Sequence, residues 1–88
     1  MPNVVTANHL RSGAVLYLTR DGTWVDRLDG ASPAVTVDDL KHLEALALAA
    51  VKRNEVTAVY AFDVRIAGDR IEPISVRERI RAAQSTTA

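Results

Sequence analysis

The chain has 88 residues, 48% of them hydrophobic, with eleven Lys and Arg balanced by eleven Asp and Glu and with no cysteine. One domain of this size buries roughly 60–65% of the surface its unfolded chain exposes, enough for a modest core without covalent staples. Charge neutrality removes a general drive toward nucleic acid or anionic lipid, and the missing thiol excludes a disulfide framework, a cysteine-held iron–sulfur cluster and thiol catalysis.

Taken in chain order, Val4 to Leu10 is short, apolar and β-branched at its start, which predicts a first strand. Arg11-Ser12-Gly13 turns the chain into a second strand, Ala14–Thr19, with apolar groups on both of its sides, as a central strand requires. Asp21-Gly22 is a hairpin signal, because tight turns need the positive φ that glycine adopts without a Cβ clash. Thr23–Leu28 then returns as a third strand, completing an antiparallel meander in which Tyr17 and Trp24 are expected to lie close across the ladder. Asp29 to Val35 carries Gly, Ser and Pro together and reads as a loop.

A helix is predicted over Val37–Arg53. Thr36 is its N-cap, Asp38 and Asp39 suit the positive end of the helix dipole, and Lys52 and Arg53 suit the negative end. Asn54 is a residue that tolerates the left-handed conformation in which helices stop. Leu40, Leu43, Ala47, Ala50 and Val51 fall on one face at helical spacing, with Leu46 and Leu48 on either side of that stripe. Those two leucines either pack at the helix edges or touch another subunit or protein.

Val56–Ile66 gives the strongest strand pattern, with Val56, Ala58, Tyr60, Phe62, Val64 and Ile66 alternating toward one face and Thr57, Asp63 and Arg65 toward the other. Ala67-Gly68-Asp69 leads into a last strand, Arg70–Ile74, which Pro73 assigns to an edge because it lacks an amide hydrogen. Ser75 and Glu78 have capping-box spacing ahead of a short C-terminal helix with a Val76, Ile80, Ala83 stripe. The expected fold is α+β: an antiparallel sheet of four to five strands packed on one main helix, with a short C-terminal helix, in a single domain over residues 1–84 and a frayed tail at 85–88. The longest apolar stretch, Ala45–Val51, is far below the ~20 residues that cross a bilayer, and Met1–Val5 shows no basic region ahead of an apolar one. The expectation is a soluble cytoplasmic protein.

Candidates for chemistry are few. His9 and His42 are the only histidines, and neither has partners at metal-ligand spacing. Ser12, Ser32, Ser75 and Ser85 sit in a turn, a loop, a cap and a tail, without a nucleophile motif, and no glycine-rich phosphate cradle is present. No catalytic residue, metal or cofactor is therefore assigned, and the protein is read as non-enzymatic. Two surfaces remain. Arg77 and Arg81 share a helix face beside Arg79 and close to Arg70, suited to a carboxylate, phosphate or acidic patch. Tyr17 and Trp24 serve sheet packing first and partner contact second.

The segments "VVTANHL", "AVLYL", "DGTWV" and "PISVRERIRA" together resemble a family of small bacterial proteins of unknown function. Its members begin close to V-T-A-N-R-L and end close to P-V-x-x-R-E-x-I-R. This chain departs at His9, where the family often has Arg, and at Ser12, where it often has Asp. The resemblance implies a genomic setting beside sulfite reductase in sulfate-assimilation clusters, and no catalytic residues come with it. On that basis the expected function is an accessory protein docking on sulfite reductase or a neighbouring pathway enzyme through Arg77, Arg81, Trp24 and Tyr17. The alternative is a binder or carrier of an anionic ligand such as sirohaem or a sulfur oxyanion. An exposed edge strand also leaves a homodimer open.

Overall fold

The computed structural model describes residues 2–74. These form β1 (Asn3–His9), β2 (Val15–Leu18), β3 (Trp24–Val25), a 3-10 turn (Leu28–Gly30), α1 (Val37–Lys52), β4 (Val56–Ala67) and β5 (Arg70–Pro73). The strands make one antiparallel sheet in the order β3-β2-β1-β4-β5, so the fold is α+β with β1 at its centre and the proline-bearing strand at an edge. The expected C-terminal helix and the 85–88 tail lie outside the described residues.

Local chemistry accounts for the element ends. Thr36 caps α1 by accepting from the Asp39 amide at 3.1 Å. At the other end Asn54 has φ 58°, its amide donates to the Val51 carbonyl at 3.0 Å, and the Glu55 amide donates to the Ala50 carbonyl at 3.0 Å. That pair of bonds closes a Schellman motif around a left-handed residue. Between β2 and β3 the Thr19 amide donates to the Thr23 carbonyl at 2.8 Å, which makes the loop three residues long, with Gly22 at φ 90° as its left-handed member. The resulting register pairs Tyr17 with Val25 and Leu18 with Trp24. Tyr17 and Trp24 therefore face opposite sides of the sheet, not one another. This corrects the cross-strand contact expected from sequence.

β4 contains the main departure from simple alternation. Thr6 pairs with Tyr60 and Asn8 with Thr57, so Ala58 and Val59 together oppose Ala7. Ala58 has φ 56°, the left-handed geometry of a β-bulge. The extra residue reverses the facing of everything on one side of it. Val56 and Val59 pack toward α1, with Ala7 and Ala50. Tyr60, Phe62 and Val64 pack on the opposite side, with Val4 and Tyr17. The single apolar face predicted for Val56–Ile66 is thus split across two cores.

The first core lies between sheet and helix. Val5, Leu18, Leu43 and Ala47 form its buried centre, with Trp24, Leu40 and Leu46 packed around them. Alanines at 7, 47 and 50, all fully buried, let the helix approach the sheet closely. The second core lies on the face without a helix. There the 3-10 turn that follows β3 reaches across to the opposite edge: it contacts β5, and the Ile71 amide donates to the Asp29 carboxylate at 3.0 Å. Leu28 and Ala31 close over Tyr17, Phe62 and Val64, and Tyr17 meets Phe62 edge-on with ring centres 6.3 Å apart.

A candidate docking groove beside the helix

α1 covers only part of its face of the sheet. Between it and β4 runs a groove of about 330 Å³, floored by Val5, Val59 and Ala61 and walled by Leu48 and Val51 from the helix. Leu48 is 56% exposed and Val51 37% exposed, while Leu43 and Ala47 on the same helix are buried. Val51, expected in the core stripe, therefore stands at its margin. Leu46 and Leu48, which flank that stripe in sequence, separate: Leu46 packs against the core and lies over the Gly22 turn, and Leu48 faces solvent. Glu44 supplies a carboxylate to the groove. The result is an apolar strip with an acidic edge, a surface that takes apolar side chains flanked by a cation.

The residues singled out from sequence fall in different places. Tyr17 is 1% exposed and sealed in the second core, so it offers no contact surface. This corrects its assignment to a partner-binding patch. Trp24 is half-buried against α1, and its indole nitrogen is buried without a hydrogen-bond partner among the described residues. Arg77 and Arg81 lie outside the described residues. Of the four expected contact residues, the two that are described, Tyr17 and Trp24, lie on opposite faces of the sheet and do not form one site.

The histidines act locally. His9 Nδ1 accepts from the Ser12 amide at 3.2 Å, holding the β1–β2 turn, and the Ser12 hydroxyl accepts from the Ala14 amide at 3.2 Å. This gives the two positions that depart from the family pattern a shared role in one turn. His42 Nε2 meets the Arg20 carbonyl at 3.1 Å and ties α1 to the β2–β3 turn. Among the described residues, no group of three or more His, Asp or Glu side chains is placed to hold a metal ion, and no helix is long and apolar enough to cross a membrane.

Leu48 was legible as a surface candidate because it breaks the helical stripe. Val59 and Ala61 carried no such signal, since their facing depends on the bulge at Ala58. The sequence profile of a family described as "protein of unknown function (DUF2849)" matches residues 3–88. No curated protein and no solved structure matches the chain.

Proposed function

The chain belongs to the DUF2849 family, and from that premise we propose that it is a non-enzymatic docking protein whose partner is the sulfite-reducing enzyme of sulfate assimilation or a neighbouring enzyme of that pathway. The observation that carries the docking role is the exposure of Leu48 and Val51 along the groove between α1 and β4. A small neutral domain gains little from leaving two large aliphatic side chains partly in water beside an apolar floor, and covering what remains exposed of each is worth roughly 0.5–1.5 kcal/mol. The choice of partner rests on the resemblance of the terminal segments, which implies a genomic setting beside sulfite reductase.

The groove suits an amphipathic helix of the partner, with apolar residues three and four apart over Leu48 and Val51 and a basic residue near Glu44. The test is co-purification of the tagged chain with purified sulfite reductase, and with the reductase from cells grown on sulfate as sole sulfur source. The double variant Leu48→Glu/Val51→Glu is expected to abolish capture while leaving the circular dichroism spectrum unchanged. Loss of capture in Arg77→Glu/Arg81→Glu alone would move the contact to the C-terminal segment. No capture at any salt concentration would overturn the partner assignment.

A further inference from the structure

A second concavity, sharing no lining residue with the apolar groove, lies where the β2–β3 turn, the loop at residues 31–33 and the first turns of α1 converge. Its volume is about 290 Å³, and it carries Arg20, Ser32, Asp39 and His42 around an apolar floor of Ala31, Pro33 and Leu43. Arg20 is fixed there through its backbone. Its amide donates to Ser32 Oγ at 2.9 Å, and its carbonyl accepts from His42 Nε2 at 3.1 Å.

These bonds set what each group has left to offer. A carbonyl only accepts, so Nε2 of His42 is the donor in this bond and is spent on the backbone. Ser32 Oγ has accepted a bond and retains its own proton to donate. The Arg20 guanidinium approaches Asp39 no closer than 3.9 Å, the outer limit of an ion pair, and the two side chains remain 77% and 35% exposed. Among the described residues, most donors of one and the acceptor oxygens of the other are unspent.

An anion alone would meet Arg20 favourably and Asp39 unfavourably; a cation alone would meet the reverse. A ligand carrying both charges a short distance apart satisfies both. We infer that this groove binds a small zwitterion of the α-amino-acid type, its carboxylate on the Arg20 guanidinium and Ser32 hydroxyl and its ammonium on the Asp39 carboxylate. The floor at Leu43, Ala31 and Pro33 selects an aliphatic or thioether side chain over a charged one, because a charge placed there loses water without gaining a partner. Since the charged groups are solvent-accessible, the dissociation constant is expected on the order of 1 mM.

The test is a two-dimensional NMR titration of the full chain at fixed ionic strength with L-methionine and L-alanine, and with acetate and methylammonium as half-ligands. Saturable shifts confined to Arg20, Ser32 and the Asp39–Leu43 turn are expected with the amino acids. Acetate and methylammonium should each bind at least about tenfold more weakly, the effect of losing one set of charge-assisted hydrogen bonds. Arg20→Gln and Asp39→Asn, both at the surface, should each weaken methionine binding by a similar factor, while Leu48→Ala leaves it unchanged. Acetate binding as tightly as methionine would make the groove a plain anion site and overturn the inference. So would shifts that fail to saturate or that survive Arg20→Gln.

Discussion

The two faces of this sheet are built on opposite economies. The face without a helix holds Tyr17, Phe62 and Tyr60, and the chain closes it with its own 3-10 turn and β5. The helix-bearing face is packed through alanines at its closest approach and leaves Leu48 and Val51 outside. Aromatic bulk, which in sequence suggests an interaction surface, is spent here on internal closure. The surface left uncovered is made of ordinary aliphatic residues. What separates the roles is whether the chain itself supplies the covering layer.

The largest effect that tests this contrast is truncation on the closed face. Phe62 is 9% exposed within the second core. Phe62→Ala is expected to cost about 3–5 kcal/mol, a large part of the stability of so small a domain. Phe62→Leu, which leaves a smaller void, should cost about 1–2 kcal/mol and keep the chain folded for measurement by urea denaturation. If Phe62→Leu proved neutral, the second core would not be the closed structure described.

On the helix face, neighbouring residues give a sharper comparison. Ala47 is fully buried against the sheet, and Leu48 next to it is 56% exposed. Ala47→Leu forces three extra heavy atoms into the closest helix–sheet contact and should destabilise by about 1–3 kcal/mol. Leu48→Ala should stay within about 0.5 kcal/mol of the parent, as expected of a surface position. Equal effects from the two would mean that Leu48 is covered in solution, for instance by a second copy, and a concentration-dependent denaturation midpoint would identify that case.

Local chemistry made much of this fold legible, and long-range placement did not. The Thr36 cap, the Asn54 stop, the Asp21-Gly22 turn and the edge position of Pro73 each follow from properties of one or two residues. The pairing of Tyr17 with Trp24 failed because the turn is a three-residue loop with Thr19 opposite Thr23. Counting back from that pair places Val25, not Trp24, opposite Tyr17, and one residue in register exchanges the faces of a strand. The single face of β4 failed because Ala58 continues the alternation, and an alanine, unlike a glycine, gives no local sign of the positive φ it adopts. The groove beside α1 was half visible. Leu48 stood off the helical stripe, but the uncovered floor at Val59 and Ala61 depends on where α1 sits over the sheet, which no local pattern encodes.

The bulge is itself a point at which the comparison can be tuned. Ala58 holds φ 56° with a Cβ, a conformation that costs a non-glycine residue roughly 1–2 kcal/mol. Glycine removes that strain and costs about 0.5–1 kcal/mol in backbone entropy. Ala58→Gly is therefore expected to leave stability unchanged or raise it by up to about 1.5 kcal/mol. Ala58→Val should lower it, because a β-branched side chain is poorly accommodated at positive φ. Gain from valine at this position would mean that β4 runs without a bulge, and the division of its side chains between two cores would fall with it.

The smallest expected effect lies in the β2–β3 turn, where the two faces share a support: Leu46 of the helix side packs over Gly22, and β3 delivers Val25 to the closed side. The Thr19 hydroxyl donates to the Asp21 carboxylate, and the Thr23 amide donates to it at 3.2 Å. These bonds, the Thr19 one first, hold the Asp21 carboxyl below its ordinary value. A carboxyl depressed in the folded state contributes stability above the unfolded value of about 3.9, and that contribution fades as the pH falls through the folded value. Asp21 is fully exposed, so the contribution is small and screened. Glu55 is depressed with the same sign by the hydrogen bond from Arg53, so the parent's acid limb alone does not isolate Asp21. The difference between parent and Asp21→Asn does isolate it. Their denaturation midpoints should stand apart at pH 6 and converge as the pH drops below about 4. Midpoints that stay parallel to pH 2 would show that the turn is held by its backbone bonds and Gly22 alone, with the carboxylate a bystander.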